Sequence, residues 1–425
     1  MKITCALSDF DFAGVPSDLN IVLYGHNSDP TRGSAGTALK QAIVREKVVP
    51  AARAWDLLSI ALAVVSADLA GHRDRSPDGW TREFELTVSV VDAPFWSANA
   101  GILQQMLAVL STDRWTLQFV EGGILPQPDK QAVHPTEDCV VLLSGGLDSY
   151  IGAIDLVEKG LKPFAVSQMV RGDGEKQIAF AGEIGGGLRH FQGNHNTDVP
   201  DPENPPSQRA RSIVFLAYGV LMATTLSRYH AGDEVTLYLC ENGFIAINPP
   251  LTGGRIGSLS TRTTHPVFLV LLQQVLTAAG LRVKVENPYQ LKTKGEMMVE
   301  CLNQMLLDAH AHQTTSCGRF LKFGYKHCGR CVPCQVRRAA FKASGKVDQT
   351  FYVYEDLGID DEEHAGFDDV RSALIGIAER RETGTRRWIG SSLSSALVDN
   401  KDQLAQTIER GLAEIESLMT AMRVQ

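Results

Sequence analysis

The five apolar residues Cys139-Val140-Val141-Leu142-Leu143 run without interruption into Ser144-Gly145-Gly146-Leu147-Asp148-Ser149, and then into helix-forming sequence. A strand that is apolar throughout is covered on both faces, which places it inside a parallel sheet with helices on either side. The turn that follows is built for an anion. Its two glycines allow a tight reversal and bring backbone N–H groups close to a ligand, and the helix start adds the positive end of its dipole. The Ser144 and Ser149 hydroxyls can donate to phosphate oxygens, while Asp148 either holds a magnesium ion or braces the loop. The chain has neither the G-x-x-x-x-G-K-[ST] of a Walker loop nor the G-x-G-x-x-G of a dinucleotide fold. A glycine turn without a ligand is the plain alternative.

The surroundings extend this α/β pattern. A helix over Tyr150 to Glu158 and a strand over Pro163-Phe164-Ala165-Val166 complete one β-α-β unit, with Val166 at its strand end a candidate cofactor-binding residue. Strands follow at Glu234 to Cys240 and Leu281 to Glu286, with helices near Ser212 to Tyr229 and His265 to Ala279. Residues 1–137 read as a separate α+β accessory domain, with strands at Ile21 to Tyr24, Phe84 to Val90 and Trp115 to Val120. Its helices are expected at Ala51 to Leu69 and Trp96 to Leu110, and Leu125 to Lys130 reads as a linker. Asp198 to Ser207, with four prolines, reads as a polar loop. Residues 348–425 form a helical tail, in which Leu404, Ile408, Leu412, Ile415 and Leu418 fall on one helix face.

A net charge of −8 gives no reason to expect non-specific nucleic-acid binding. No apolar run of about 18 residues marks a membrane span, and the first residues lack signal-peptide order. The expected setting is the cytoplasm. There, four cysteines crowded into a short segment point to metal and not to disulfides. Cys317, Cys328, Cys331 and Cys334 follow C-x10-C-x2-C-x2-C, which suits a closed, structural zinc site, although the same thiolates could hold an iron–sulfur cluster. From Ser316 to Val347 there are eight basic residues and no acidic one, a solvated face or a surface for pyrophosphate or nucleic acid.

The Ser-Gly-Gly-x-Asp-Ser loop after a buried strand resembles the PP-loop of the N-type ATP pyrophosphatases. Three further segments are similar to the QueC (7-cyano-7-deazaguanine synthase) branch. They are Ser316-Cys317 with His327-Cys328-Gly329-Arg330-Cys331-Val332-Pro333-Cys334 through Arg337 to Phe341, Leu291-Lys292-Thr293-Lys294-Gly295-Glu296, and Arg211-Ser212-Ile213-Val214-Phe215-Leu216. The resemblance covers about residues 138–347, with the zinc segment at 316–341. It implies a Rossmann-like, adenine nucleotide alpha hydrolase-like sheet and the cofactors ATP, Mg2+ and Zn2+. The implied chemistry is adenylation of a deazaguanine carboxylate, with Asp148, Lys294 and Arg211 as catalytic residues and residues 144–149 holding the leaving pyrophosphate.

Two segments depart from the QueC pattern: Ser167 to Glu175, and the polar clusters Glu241-Asn242-Gly243 and Ser260 to Pro266. Glu241, Asn242, Arg262 and His265 are accordingly expected to bind an altered substrate, with capping and loop packing as the alternative for Arg262 and His265. The added N-terminal domain and tail resemble the QueC-like proteins of antiphage islands, such as QatC of the Qat system and members of some CBASS operons. That resemblance implies a protein partner recognised by the N-terminal domain, to which the acyl group is passed. A tRNA-modifying enzyme of thiolase type and a nucleotide-binding scaffold without turnover are the competing readings.

Overall fold

Among the described residues of the computed structural model, ten strands divide into two sheets, both parallel throughout and both with the same strand order. The structure describes residues 1–424 apart from 129–130, 205, 208, 252–261 and 359–368. The end of the 125–130 linker, part of the 198–207 loop, and Ser260 and Thr261 therefore lie outside the described residues.

In the first sheet, β1 (Lys2–Ala6), β2 (Leu19–Leu23), β3 (Gly33–Ala35), β4 (Glu83–Ser89) and β5 (Arg114–Val120) lie in the order β3-β2-β1-β4-β5. The second holds β6 (Cys139–Leu142), β7 (Pro163–Gln168), β8 (His190–Gly193), β9 (Val235–Tyr238) and β10 (Val283–Glu286), in the order β8-β7-β6-β9-β10. In each, the first strand is central and the fourth pairs on its other side. This is the doubly wound order, whose crevice opens beyond the carboxyl ends of those two strands. The N-terminal region, expected as an α+β unit, is instead α/β: its sheet is parallel throughout, and parallel neighbours need crossover connections such as the helical ones before and after β4. The alternation in β4 is real: Phe84, Leu86 and Val88 point inward, while Glu83 and Glu85 stay in water.

Helices α1 (Leu39–Glu46) and α2 (Ala52–Ala70) connect β3 to β4, and α3 (Ala93–Ala98) and α4 (Ala100–Ser111) connect β4 to β5. In the second half come α5 (Leu147–Glu158), α6 (Gly174–Glu183), α7 (Ser212–Ala223), α8 (Ser227–Ala231), α9 (Gly243–Ile247) and α10 (Pro266–Ala278). They are followed by α11 (Lys294–Glu300), α12 (Gln304–His310), α13 (Val332–Ser344), α14 (Asp369–Thr383), α15 (Thr385–Leu393) and α16 (Lys401–Ala421).

α2 and α7 pack on each other between the two sheets, and both are apolar nearly all round, as a helix buried on every side must be. A single hydrophobic core therefore runs through residues on both sides of position 137. A buried polar lock reinforces it. Arg82 pairs with Asp68 at 2.5 Å and Asp113 at 2.7 Å. Arg209 Nη1 reaches Asp113 at 3.3 Å, and the Ala210 N–H donates to Asp68 at 3.2 Å. The N-terminal half thus fixes the chain just before Arg211 and the start of α7. A second apolar cluster, including Tyr150, Met297 and Phe341, fills the other face of the second sheet.

Candidate active site

The loop lies at the crevice of the second sheet. Leu143 N–H bonds Val166 O at 2.8 Å, continuing the β6–β7 ladder one residue before the turn. Val166 is fully buried in β7 and its carbonyl is used in this bond. Gly145 turns the chain with φ +88°, the left-handed region where a side chain is strained. Gly146 caps α5, and Ser149 closes the turn: its hydroxyl accepts from Ser144 N–H at 3.2 Å and donates to Gly146 O at 3.0 Å. The Ser144 side of the loop faces a cleft of about 200 Å3 that Asp148, Glu241, Lys294, Thr315 and Pro333 help to line.

Asp148 projects from the first turn of α5 into a buried charged cluster. One carboxylate oxygen pairs closely with Lys294 Nζ, and the other accepts from Asn242 N–H at 3.1 Å and Asn242 Nδ2 at 2.6 Å. Burial opposes its ionisation, yet the Lys294 charge and the hydrogen bonds hold the carboxyl below its ordinary value. Glu241 is the opposite case. Burial, and then the Asp148 charge beside it, push it well above the carboxylate range, so that it is the protonated member of the pair. In this arrangement Asp148 braces the loop. Asp148 is also a hard oxygen donor of the kind a phosphate-bound magnesium ion takes, and Glu241 would become one once a metal displaced its proton.

Local sequence explains how the partners arrive. Asn242 caps α9 by accepting from Ile245 N–H at 3.0 Å, and its amide is left to face Asp148. Gly243 has no alternative, because a Cβ there would lie 1.9 Å from Gln290 O. Lys294 opens α11 directly after Thr293, which forms a capping box with Glu296.

The other expected residues go elsewhere. Arg211 stands at the start of α7, where burial lowers its pKa and the Asp173 charge opposes that shift. It does not line the cleft of Asp148 and Lys294. Arg262 donates to Val109 O at 3.3 Å, and His265 caps α10 and bonds Ser392 O at 3.0 Å. Both therefore join elements far from the loop, in the capping and packing role set out as their alternative. Burial, and then Arg262, lower His265 to about 4, so the ring is neutral near pH 7.

Residues with no singular motif of their own complete the site. Gln177, fully buried, donates to Ser144 O at 3.0 Å and Gln168 O at 3.1 Å. Thr315 lies across the loop: its N–H bonds Gly145 O at 2.9 Å, and its hydroxyl donates to Asp173 at 2.6 Å and accepts from Lys176 at 2.9 Å. Thr315, directly before the cysteine-bearing segment, therefore ties that segment to the glycine turn.

That segment converges as its spacing requires. The four sulfurs lie within 4.8 Å of one another, and Cys328–Cys334 and Cys331–Cys317 are each 3.9 Å apart. Zinc–sulfur bonds of about 2.3 Å in a tetrahedron place sulfurs roughly 3.8 Å apart, so the donor set fits zinc. Backbone N–H groups of Arg319 and Cys328 donate to Cys317 Sγ, and that of Cys331 to Cys328 Sγ, each at 3.3 Å. These are interactions that a thiolate favours. Gly329 turns with φ +88°, and a Cβ there would meet Tyr354 O at 2.3 Å. Arg337, fully buried, ties Thr314, Ser316 and Thr350 together behind the cluster.

Residues 263–345 match the family described as Queuosine biosynthesis protein QueC. The chain is 28% identical over 243 residues to a 7-cyano-7-deazaguanine synthase of Acetivibrio thermocellus, which covers 50% of this chain and 97% of the relative. Residues 263–345 thus carry a QueC-type domain. Two further synthases of that name agree, from Cupriavidus pinatubonensis (27% identical, 51% of this chain and 98% of the relative) and Agrobacterium fabrum (26%, 52% and 94%). No solved structure matches significantly. About half of the chain lies beyond these relatives. Among the described residues no helix is long and apolar enough to cross a membrane.

Proposed function

We propose that the chain uses ATP to adenylate a carboxylate and then passes the acyl group to an amine. The observation that carries this reading is the glycine turn at the sheet crevice, with a buried Asp148–Lys294 pair in the same cleft. A carboxylate oxygen attacks the α-phosphorus, the bond to the β-phosphate oxygen breaks, and pyrophosphate leaves into the turn of Ser144 to Ser149. Lys294 turns from Asp148 to the phosphates, and Asp148 would hold magnesium, with Glu241 joining once the metal displaces its proton; the ion would neutralise developing charge. The amine then attacks the acyl carbon and AMP leaves. Zinc held by Cys317, Cys328, Cys331 and Cys334 would keep the Thr315 strap on the loop, and a closed four-thiolate site would leave no position open for the chemistry.

The names of the relatives point to a 7-deazaguanine acid as substrate. The amine is ammonia in a nitrile-forming enzyme, or an amine of a partner protein in a defence system. The second is favoured here because an added parallel sheet shares the core and keeps Glu83, Glu85, Arg114 and Gln118 of β4 and β5 open to solvent. The cytoplasm is the compartment this reading implies. With 18O in the carboxylate of 7-carboxy-7-deazaguanine, the AMP released should carry one 18O atom. Unlabelled AMP would sink carboxylate adenylation.

One observation favours a second reading. Lys322, Tyr325 and Lys326 stand exposed on the zinc segment, and Lys326 lies over the ring of the exposed Phe351 at 5.3 Å. An RNA substrate would stack and pair there. A gel shift with tRNA that disappears in Lys322→Ala/Lys326→Ala would support that reading over the first.

A further inference from the structure

The two turns that hold Asp148 are themselves held by one helix, and that helix lies outside the matched family region 263–345. Along α16, Thr407, Arg410, Gly411 and Glu414 share one face by their helical spacing. Glu414 accepts from the Thr293 hydroxyl and from the Gly295 backbone N–H, the residues on either side of Lys294. Arg410 binds Glu296 at 2.6 Å and Leu291 O at 2.8 Å, gripping the same helix start from both sides. Gly411 admits the ring of Phe244: a Cβ there would lie 2.4 Å from it. Thr407, fully buried, packs on Gly243. Phe244 and Gly243 directly follow Asn242, the second partner of Asp148.

We infer that α16 is a clamp that positions Lys294 and Asn242 against Asp148, with Glu414 as its main positioning residue and Gly411 as the contact that lets it close. The helix start at Thr293 has its own capping box, so Glu414 is not needed to form α11. What Glu414 adds is a tie across 121 positions of sequence that fixes where α11 begins relative to α9. The clamp makes the C-terminal region part of the site without contributing a catalytic residue. Its consequence for ATP rests on the role proposed above for Lys294, but its geometry does not.

The test reads Lys294 directly in the full-length, zinc-loaded protein. Acetic anhydride labelling of Lys294 Nζ, quantified by mass spectrometry, is compared among the parent, Glu414→Ala, Glu414→Gln and Leu418→Ala. Leu418 is buried further along the same helix and serves as the stability control. Loosening the clamp should raise Lys294 labelling roughly five-fold in Glu414→Ala through local opening. Glu414→Gln, which keeps an acceptor for Gly295 N–H, should stay near the parent, as should Leu418→Ala at an equal or greater loss of Tm. Unchanged labelling in Glu414→Ala, or an equal rise in Leu418→Ala, would overturn the clamp. MgATP affinity measured on the same proteins separates the two ideas. Raised labelling with unchanged affinity keeps the clamp and removes Lys294 from phosphate binding.

Discussion

The two sheets have the same strand order and different ends. In the second, β6 runs out into two glycines, and the cleft beyond them is open. In the first, β1 runs out under Phe12, which is buried with Ala6 and Val22. Past β4, the backbone N–H groups of Val91 and Asp92 and the Trp96 Nε1–H converge as an anion cradle would. Its occupant is the chain's own Asp56, at 2.7, 3.0 and 3.0 Å. Asp56 is fully buried. Topology therefore supplies the crevice in both halves, and side chains decide whether it stays available. One end is stoppered by a carboxylate from α2. The other keeps its carboxylate beside the loop, paired with Lys294, and leaves the turn to a ligand.

Metal separates the halves most strongly. Removing zinc with a chelator, or Cys331→Ser, should unfold the 316–341 segment, release Thr315 from the loop and abolish turnover, since structural zinc contributes on the order of 10 kcal/mol to folding of such segments. Far-UV signal from the N-terminal sheet should persist. Metal analysis should find zinc in the parent and none in the variant. The two carboxylates come next. Asp148→Asn should lower ATP turnover about 10³-fold, the scale of losing a group that organises transition-state charge. Asp56→Ala should leave turnover intact and cost about 3 kcal/mol by denaturant melt, because buried donors lose their acceptor. Reversed outcomes would break the comparison. Arg262→Ala and His265→Ala should change the affinity for ATP by less than about two-fold, as expected for residues whose partners are structural. A larger shift in titration calorimetry would return them to the site.

The smallest effect concerns Glu241. Its carboxyl is raised by burial and by Asp148, so the folded chain keeps a proton that the unfolded chain gives up above about pH 4.3. Stability then falls as pH rises from there toward the folded pKa. Glu241→Gln removes that loss. Its Tm should exceed the parent's by more at pH 8 than at pH 5, and a gain independent of pH would contradict the assignment.

Much of the site could be read from local sequence because its chemistry is local. A continuous apolar run, a Gly-Gly turn and thiols at short spacing each state their geometry within a few residues. Asp148 with Lys294 could be paired only through the family resemblance, since they are 146 positions apart. Thr315, Gln177 and the Glu414 clamp depend on tertiary contact and carry no pattern of their own. The same holds for the fold. β3 and β8 are short and hold little apolar alternation, so pairing alone defines them. The helix expected over Ser212 to Tyr229 breaks at Thr224 and Thr225, whose hydroxyls bond back to Leu221 O and Met222 O at 2.8 and 2.7 Å. The shared core of the two halves was hidden too, because an α2 that is apolar all round does not reveal which sheets it lies between.

The most direct test of the account follows the fate of ATP. The zinc-loaded protein, Asp148→Asn and Asp56→Ala are each incubated with magnesium, ATP, 7-carboxy-7-deazaguanine and an ammonium salt, and the nucleotides and phosphates are separated. The account predicts AMP and pyrophosphate in equal amounts, dependent on the acid, lost in Asp148→Asn and kept in Asp56→Ala. ADP and phosphate as products, or AMP formed equally by Asp148→Asn, would contradict it.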